Sequence, residues 1–348
     1  MIMIRKMEPG ESIQVKKLAR KAFVGIERFF ISTPKNTMVA VVDDKIVGGI
    51  NIKIIESNGK KIGYFDAAFI DPHYHGQGIG KMLYEATTKY LWESGCDALS
   101  ALVKDDNVAS WKLFENNGFC LTSFVEATKH LGFLTMMKQY FTTPFFISNG
   151  MEYYLVVKNQ KVMPKKVISS RQIIWFILAN FILMLTSMLT RSAMQFSVFI
   201  SSYLFLLSVG VITGYIGTCF SKRQWHFRVN SGGGVIVALI NMIEIYPLIG
   251  NWYPLQYENT KSFRKDMGIT ALCEWLFLLI ITLISYVFGA EYLFLAYTYQ
   301  IGSILLLYRI LALYPFESFG GRRVYDWNKK IYLAMSIVTI IIFGLIAI

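Results

Sequence analysis

The sequence predicts an α/β domain, a mixed sheet with helices, over residues 1–158. A basic linker at 159–171 joins it to an all-α polytopic membrane domain at 172–348. Three observations carry that expectation. An apolar strand, Ile62–Ile70, runs through Asp71-Pro72 into the glycine-rich run His73-Tyr-His-Gly-Gln-Gly-Ile-Gly80 and then the helix-forming Lys81–Trp92. A second strand–helix unit follows, Ala98–Val103 and then Asp105–Phe119, with Gly118-Phe119 as a helix stop. Beyond Arg171 the chain becomes a series of long apolar segments.

Gly76, Gly78 and Gly80 stand on alternate positions where strand turns into helix. Without side chains there, consecutive backbone N–H groups can line a concavity, and the helix N-terminus adds positive potential. Such a loop suits a pyrophosphate, although glycines also gather in plain turns. A dinucleotide fingerprint needs Gly-x-Gly-x-x-Gly after the first strand of a βαβ unit, with an acidic residue about 20 positions on. Here the spacing is Gly-x-Gly-x-Gly and the upstream strands read as antiparallel hairpins, which argues against a dinucleotide.

The two pieces together resemble the GNAT acyltransferase superfamily over about residues 1–158. The strand end Ile70-Asp71-Pro72 is similar to the family's Val-x-Pro. The loop His75-Gly-Gln-Gly-Ile-Gly80 is similar to its acyl-CoA loop, and Asn107, Leu113-Phe114 and Gly118-Phe119 are similar to its later signature. Two departures stand out: His75 occupies a position of Arg or Gln, and Phe114 one where many members carry a tyrosine that protonates the leaving thiolate. The resemblance implies a GNAT-like mixed sheet and acetyl-CoA, or another acyl-CoA, as co-substrate. It also implies acyl transfer to an amine, with the pantetheine arm slotted beside a central strand that splays from its neighbour. Backbone N–H groups at Phe69 and Ile70 would polarise the thioester. His75, Gly76, Gln77, Gly78, Ile79, Gly80 and Lys81 would hold the pyrophosphate, and Asn107 with Ser110 the pantetheine side.

Acyl transfer also needs a route for the amine's proton. Asp66, a carboxylate within an apolar strand run, is the candidate base, because burial raises a carboxyl's pKa. The plain alternative is that it faces solvent or binds a neighbouring N–H. With Phe114 in the tyrosine position, the thiolate's proton comes from water, or from Tyr64, Tyr74 or Tyr84, Tyr64 sharing the strand with Asp66; the alternative is slow or absent catalysis, in an acyl-CoA sensor or scaffold. His73 and His75 lie two apart beside Asp71 but lack a third ligand of suitable spacing, so no metal is expected.

The rest of the first domain reads in order as an amphipathic helix, Glu11–Val24, then strands Met38–Val42 and Lys45–Ile55. Asp43-Asp44 and Asn58-Gly59 mark hairpin turns. Cys120–Ala127 and Glu152–Lys158 read as the last two strands. Between them Leu131–Phe146 is expected to be a lid, an interfacial segment on lipid, or a packing element against the membrane domain. Four cysteines show no metal or CxxC spacing, and Met1–Gly10 has no apolar core of a signal peptide.

The 35 Lys+Arg against 23 Asp+Glu give a net charge of +12. These cations cluster beside apolar spans, which points to lipid headgroups and topology rather than nucleic acid. The apolar segments are Ile173–Thr190, Phe196–Phe220, Gly233–Ile249, Gly268–Gly289, Tyr292–Tyr314 and Ile331–Ile348. Six crossings would send Lys261, Arg264, Lys265, Arg322, Arg323, Lys329 and Lys330 outside. If Gly233–Ile249 dips in and returns, those residues join Lys222, Arg223 and Arg228 inside, and only Arg191 is left out. Five crossings with a re-entrant segment, and a cytoplasmic first domain, are therefore expected. Residues 200–348 also weakly resemble a site-2-protease core, without its His-Glu-x-x-His and with Phe319-Gly320 at the Asp-Gly position. That kinship implies a metal site that is lost. Glu244 and Glu274, inside apolar segments, are read as ties of the re-entrant element.

Overall fold

The structure, a computed structural model, describes residues 2–23, 33–105, 107–190, 195–230, 232–258, 260–313 and 315–347, with side chains to 343 in the last helix. Val24, Asp106, Arg191, Ser231 and Ile348 lie outside these residues. The chain divides into two compact units, Met1–Lys165 and Lys166–Ile348.

The first unit holds a seven-stranded sheet in the order β1-β2-β3-β4-β5-β7-β6. Its strands are β1 Ile2–Lys6, β2 Thr37–Val42, β3 Lys45–Ser57, β4 Lys60–Ile70, β5 Ala98–Lys104, β6 Cys120–Leu121 and β7 Met151–Val157. Its helices are α1 Ser12–Ala22, α2 Ile79–Glu93, α3 Val108–Asn116, α4 Phe124–Leu131 and α5 Phe133–Thr142. All strand pairs are antiparallel except β4–β5, which is parallel and crosses over through α2. The hairpin turns come from residues that tolerate positive φ: Asp43 and Asp44 at 46° and 58°, Asn58 and Gly59 at 49° and 72°.

The strand expected over Cys120–Ala127 stops at Leu121. Ser123 instead caps α4 by accepting a hydrogen bond from Glu126 N–H at 3.1 Å, a Ser-x-x-Glu start signal that outweighs the β-branched run. Leu131–Phe146 is neither a loop nor a loose lid. It forms α5 and a 3₁₀ turn whose Met136 and Phe145 are buried with Tyr64, Tyr153 and Leu155. Residues 159–165 pack with this unit too: Val162 is buried in the same cluster, and Lys165 N–H donates to Leu121 O.

The second unit contains α6 Ser169–Met184, α7 Phe196–Thr218, β8 Trp225–Val229, α8 Gly234–Asn241 and β9 Gly250–Pro254. After these come α9 Lys261–Phe288, α10 Leu293–Ile310, α11 Gly321–Trp327 and α12 Lys329–Ala347. Four helical stretches, Ser169–Leu189, Phe196–Thr218, Lys261–Phe288 and Leu293–Ile310, are long and apolar enough to cross a membrane, by length and composition. The fifth expected span coincides with the 19-residue α12. Gly233–Ile249 behaves differently. It forms only the eight-residue α8, about 12 Å long, then runs extended into β9, which pairs antiparallel with β8.

That non-helical backbone is satisfied by side chains. Asn180 Oδ1 accepts from Leu248 N–H, Asn241 Oδ1 accepts from Tyr246 N–H, and Tyr308 O–H donates to Ile245 O, all within 2.7–2.8 Å. Glu244 accepts from Ile245 N–H, and Glu274 pairs with Arg309 at 3.2 Å while Arg309 donates to Phe319 O. Glu274 thus links α9 to α10 rather than to the segment Gly233–Ile249, and Glu244 caps the adjacent backbone. Helix α7 meets α9 closely, since a Cβ on Gly217 would lie 2.7 Å from Thr270 Cα.

Candidate active site

The site begins where β4 and β5 part. They pair from Ile62↔Ala98 to Phe65↔Ala101 and no further. β4 continues beside β3 to Ile70, and β5 beside β7 to Lys104. Residues 66–70 of one strand and 102–104 of the other thus face an opening. The cause is local: Asn51 pairs with Ala67 and Ile52 with Phe65, so Asp66 is an extra, bulged residue that bends β4 away.

The bulge also resets which side chains share a face. Tyr64 and Phe69, five apart, both serve clusters on the α1 and α5 side. Phe65 points the other way, into rings from α2 and α3. Asp71 N–H donates to Val47 O at 2.8 Å, so alternation turns Phe69 N–H toward β3 as well and Ile70 N–H toward the opening. Of the two amides expected to polarise a carbonyl, only that of Ile70 is turned toward the opening by this alternation. Phe69 serves the core, buried with Val15, Leu18 and Ala19 of α1.

The glycine loop follows directly. Asp71 accepts from His73 N–H and pairs with Lys21 at 3.1 Å, which holds its carboxyl below the usual carboxylate range. His75 Nε2 lies 3.2 Å from Ile70 O; a carbonyl only accepts, so this nitrogen carries the proton. His75 thereby ties the loop back to the strand end. Gly76 and Gly78 have φ of 80° and 78°, and a Cβ on either would meet nothing within 4 Å. The backbone requires glycine there, and the space above it is open. Gly78 precedes the first turn of α2, where Ile79 is buried and Gly80 packs against Ile70 and Leu113. That first turn holds no acidic residue, and its N–H groups lie beside the open loop. Gln77 and Lys81 are exposed beside it, Lys81 3.8 Å from Glu85.

The second motif closes in from α3. Asn107 Oδ1 caps that helix by accepting from Ser110 N–H at 3.1 Å, leaving its amide NH₂ for a carbonyl outside. The Ser110 hydroxyl bonds to that of Tyr84, whose buried phenol is pushed up to about 12 by loss of solvent. Phe114 is buried among Phe65, Tyr84, Phe119 and Tyr154, at ring distances of 4.9–6.0 Å. Asp66 is not the isolated carboxylate that the apolar run suggests: Lys53 Nζ holds it at 2.7 Å. Tyr64, at 1% exposure, is enclosed on the α5 side, its phenol raised well above the ordinary range by burial and then by the Asp66 charge. No group of three metal-ligating side chains occurs among the described residues.

Sequence reasoning missed three contributors. Lys53, Gln139 and Ser100 lie far apart in the chain, and only strand register brings them near the fork. Gln139 Nε2 donates to Ser100 Oγ, and Tyr153 O–H donates to Gln139 Oε1 at 2.9 Å. The single signal available was a glutamine inside an apolar run.

A profile of the Acetyltransferase (GNAT) family matches residues 8–119. N-alpha-acetyltransferase 30 of Schizosaccharomyces pombe is 28% identical over 97 residues, which cover 27% of this chain and 65% of that protein. Among solved structures, the NatC complex bound to Gag peptide and CoA matches at 18% identity with a TM-score of 0.34, over 45% of this chain and 98% of that one. The ribosomal-protein-S18-alanine N-acetyltransferase of Escherichia coli matches at 16% identity with a TM-score of 0.33, over 46% and 99%. The site-2-protease likeness of the C-terminal part finds no support in these comparisons. This chain spans 65% of the length of the curated relative, and its residues 8–119 carry the GNAT acetyltransferase domain that the family profile matches.

Proposed function

We propose that the whole chain is a membrane-anchored N-acetyltransferase that takes acetyl-CoA and acts on an amine at the cytoplasmic face. The observation that carries this reading is the fork between β4 and β5, with an open glycine loop at its mouth. Acetyl-CoA supplies an activated thioester; the chain's residues position it and move protons. N–H groups of Gly76–Lys81 and the Lys81 cation fit a pyrophosphate, and Asn107 NH₂ fits the pantetheine arm. Ile70 N–H is the donor aimed at developing negative charge on the thioester oxygen.

Asp66, held by Lys53, is the carboxylate at the bulge and takes the amine's proton. Tyr84, still protonated at neutral pH, is the hydroxyl next to Phe114 and returns a proton to the leaving thiolate. Tyr64 lies on the other face of β4, in the α5-side cluster and away from Phe114. The names of the similar proteins make a peptide N-terminus the first acceptor to test. The experiment is mass spectrometry of full-length protein incubated with acetyl-CoA and a panel of peptides, lysine side chains and small amines. Acetylated product with stoichiometric CoA release supports the reading, and CoA binding without any product refutes it.

One observation favours a second reading. Phe114, packed by four rings, places no hydroxyl where a tyrosine could stand, which suits a domain that keeps acyl-CoA binding and senses rather than transfers. Topology completes the proposal. A span too short to cross at Gly233–Ile249 leaves five crossings, α6, α7, α9, α10 and α12, with the basic loops inside.

A further inference from the structure

Helix α5 buries Met136 together with polar side chains and exposes a second, apolar face. At 100° per residue Phe133, Leu134, Met137 and Phe141 fall within about 100° of arc. Three of them are among the most open apolar side chains of the unit, at 60%, 64% and 53% exposure. The opposite face carries Thr135, Gln139 and Thr143, all buried and all hydrogen-bonded: Thr135 to Ser57 O, Gln139 to Ser100 and Tyr153, Thr143 to Gln139 O. An ordinary surface helix has the reverse arrangement. Here the polar face is fixed by the core, so the apolar face is available for something other than water.

The surroundings of this face are basic. Lys138 donates to Glu56 O at 2.7 Å and Lys60 to His130 O, which brings the β3–β4 turn alongside. Lys129 adds to these, paired with Glu126 at 2.8 Å, and Glu56 is the acid of the neighbouring turn. Phenylalanine and leucine ringed by lysines is the chemistry of an anionic lipid surface, not of a neutral apolar partner.

We infer that α5 lies on the anionic leaflet of a bilayer, with Phe133, Leu134, Met137 and Phe141 among the headgroups, docking the acetyltransferase domain to the membrane independently of the C-terminal helices. The inference rests on the proposed insertion of those helices, so the test separates the two. Full-length chain with its four cysteines replaced by alanine is reconstituted into phosphatidylcholine vesicles with and without phosphatidylglycerol. A fluorophore is placed through Phe141→Cys, Ile212→Cys or Glu93→Cys, and quenching by spin-labelled lipid is compared with quenching by aqueous iodide. Ile212, exposed on α7, reports insertion, and Glu93, exposed on α2, reports water.

With phosphatidylglycerol, the label at position 141 is expected to be quenched by lipid several-fold more than that at 93. Leu134→Glu should return it to iodide without changing the melting temperature. Lipid quenching at 212 with iodide quenching at 141 overturns the docking and leaves insertion standing. Iodide quenching at both overturns docking and insertion together. Protection of 141 from both quenchers overturns it in favour of a protein surface, this chain's own or a second copy's.

Discussion

At Gly78 the backbone adopts a φ of 78° over open space, so a side chain there meets strain first and ligand second. Gly78→Glu is expected to cost about 1–3 kcal/mol of stability from the left-handed backbone. It should also abolish CoA binding in calorimetry, because a carboxylate would occupy the anion position. Unchanged affinity would remove the cradle from the account. Asp66→Asn should lower turnover on the order of 10²-fold while CoA affinity stays as it was; an unaltered pH–rate profile would reduce Asp66 to a partner for Lys53.

Tyr84→Phe should lower kcat by a similar factor, with KM for acetyl-CoA nearly constant. The same residue sets an alkaline limit. Its folded pKa of about 12 exceeds the ordinary 10, so between those values the unfolded chain binds fewer protons than the folded one. Stability from this group is full below pH 10 and falls as pH rises toward 12. Urea melts across that range should show a shallower decline in Tyr84→Phe.

At the scale of elements, the fork depends on α5 as much as on the strands that form it. Gln139 bridges Ser100 of β5 and Tyr153 of β7 from a fully buried position. Gln139→Ala takes one partner each from the Ser100 and Tyr153 hydroxyls, which still bond to each other, a loss of about 1–3 kcal/mol. Gln139→Leu fills the volume but restores neither lost bond, so it should recover little. A chemical melt in which the leucine variant equals the parent would show that water replaces the amide. The α4 start illustrates the same lesson at lower stakes: one Ser-x-x-Glu signal converts an expected strand end into a helix.

For the whole molecule, the proposed number of crossings decides where the later loops and the C-terminus lie relative to the acetyltransferase domain. Acyl-CoA is a cytosolic metabolite, and the Lys158–Arg171 region is basic. On the proposed five crossings, with α8 too short to span, the C-terminus would lie across the bilayer from the first domain. Impermeant cysteine labelling on a variant without native cysteines should protect a tag at Glu258 in intact cells and modify one after Ile348. The reverse pattern would restore six crossings. Asn180 and Asn241 give the physical ground for the five-crossing account, since their amides satisfy the extended backbone that such a return path exposes.

By itself the sequence determined the elements whose signals are local. Positive-φ pairs at Asp43-Asp44 and Asn58-Gly59 dictated two hairpins, the glycine alternation dictated an open strand-to-helix loop, and continuous apolar runs dictated long helices. A backbone preference needs no partner to express itself, which is why these were legible. Tertiary structure alone decided what depends on register and enclosure. It made Asp66 a bulge residue paired with Lys53, turned Phe69 into the core and Ile70 toward the opening, and enclosed Tyr64 while leaving Tyr84 beside Ser110. A one-residue bulge reverses every side chain beyond it, and no local pattern in β4 records whether the neighbouring strand has skipped a step.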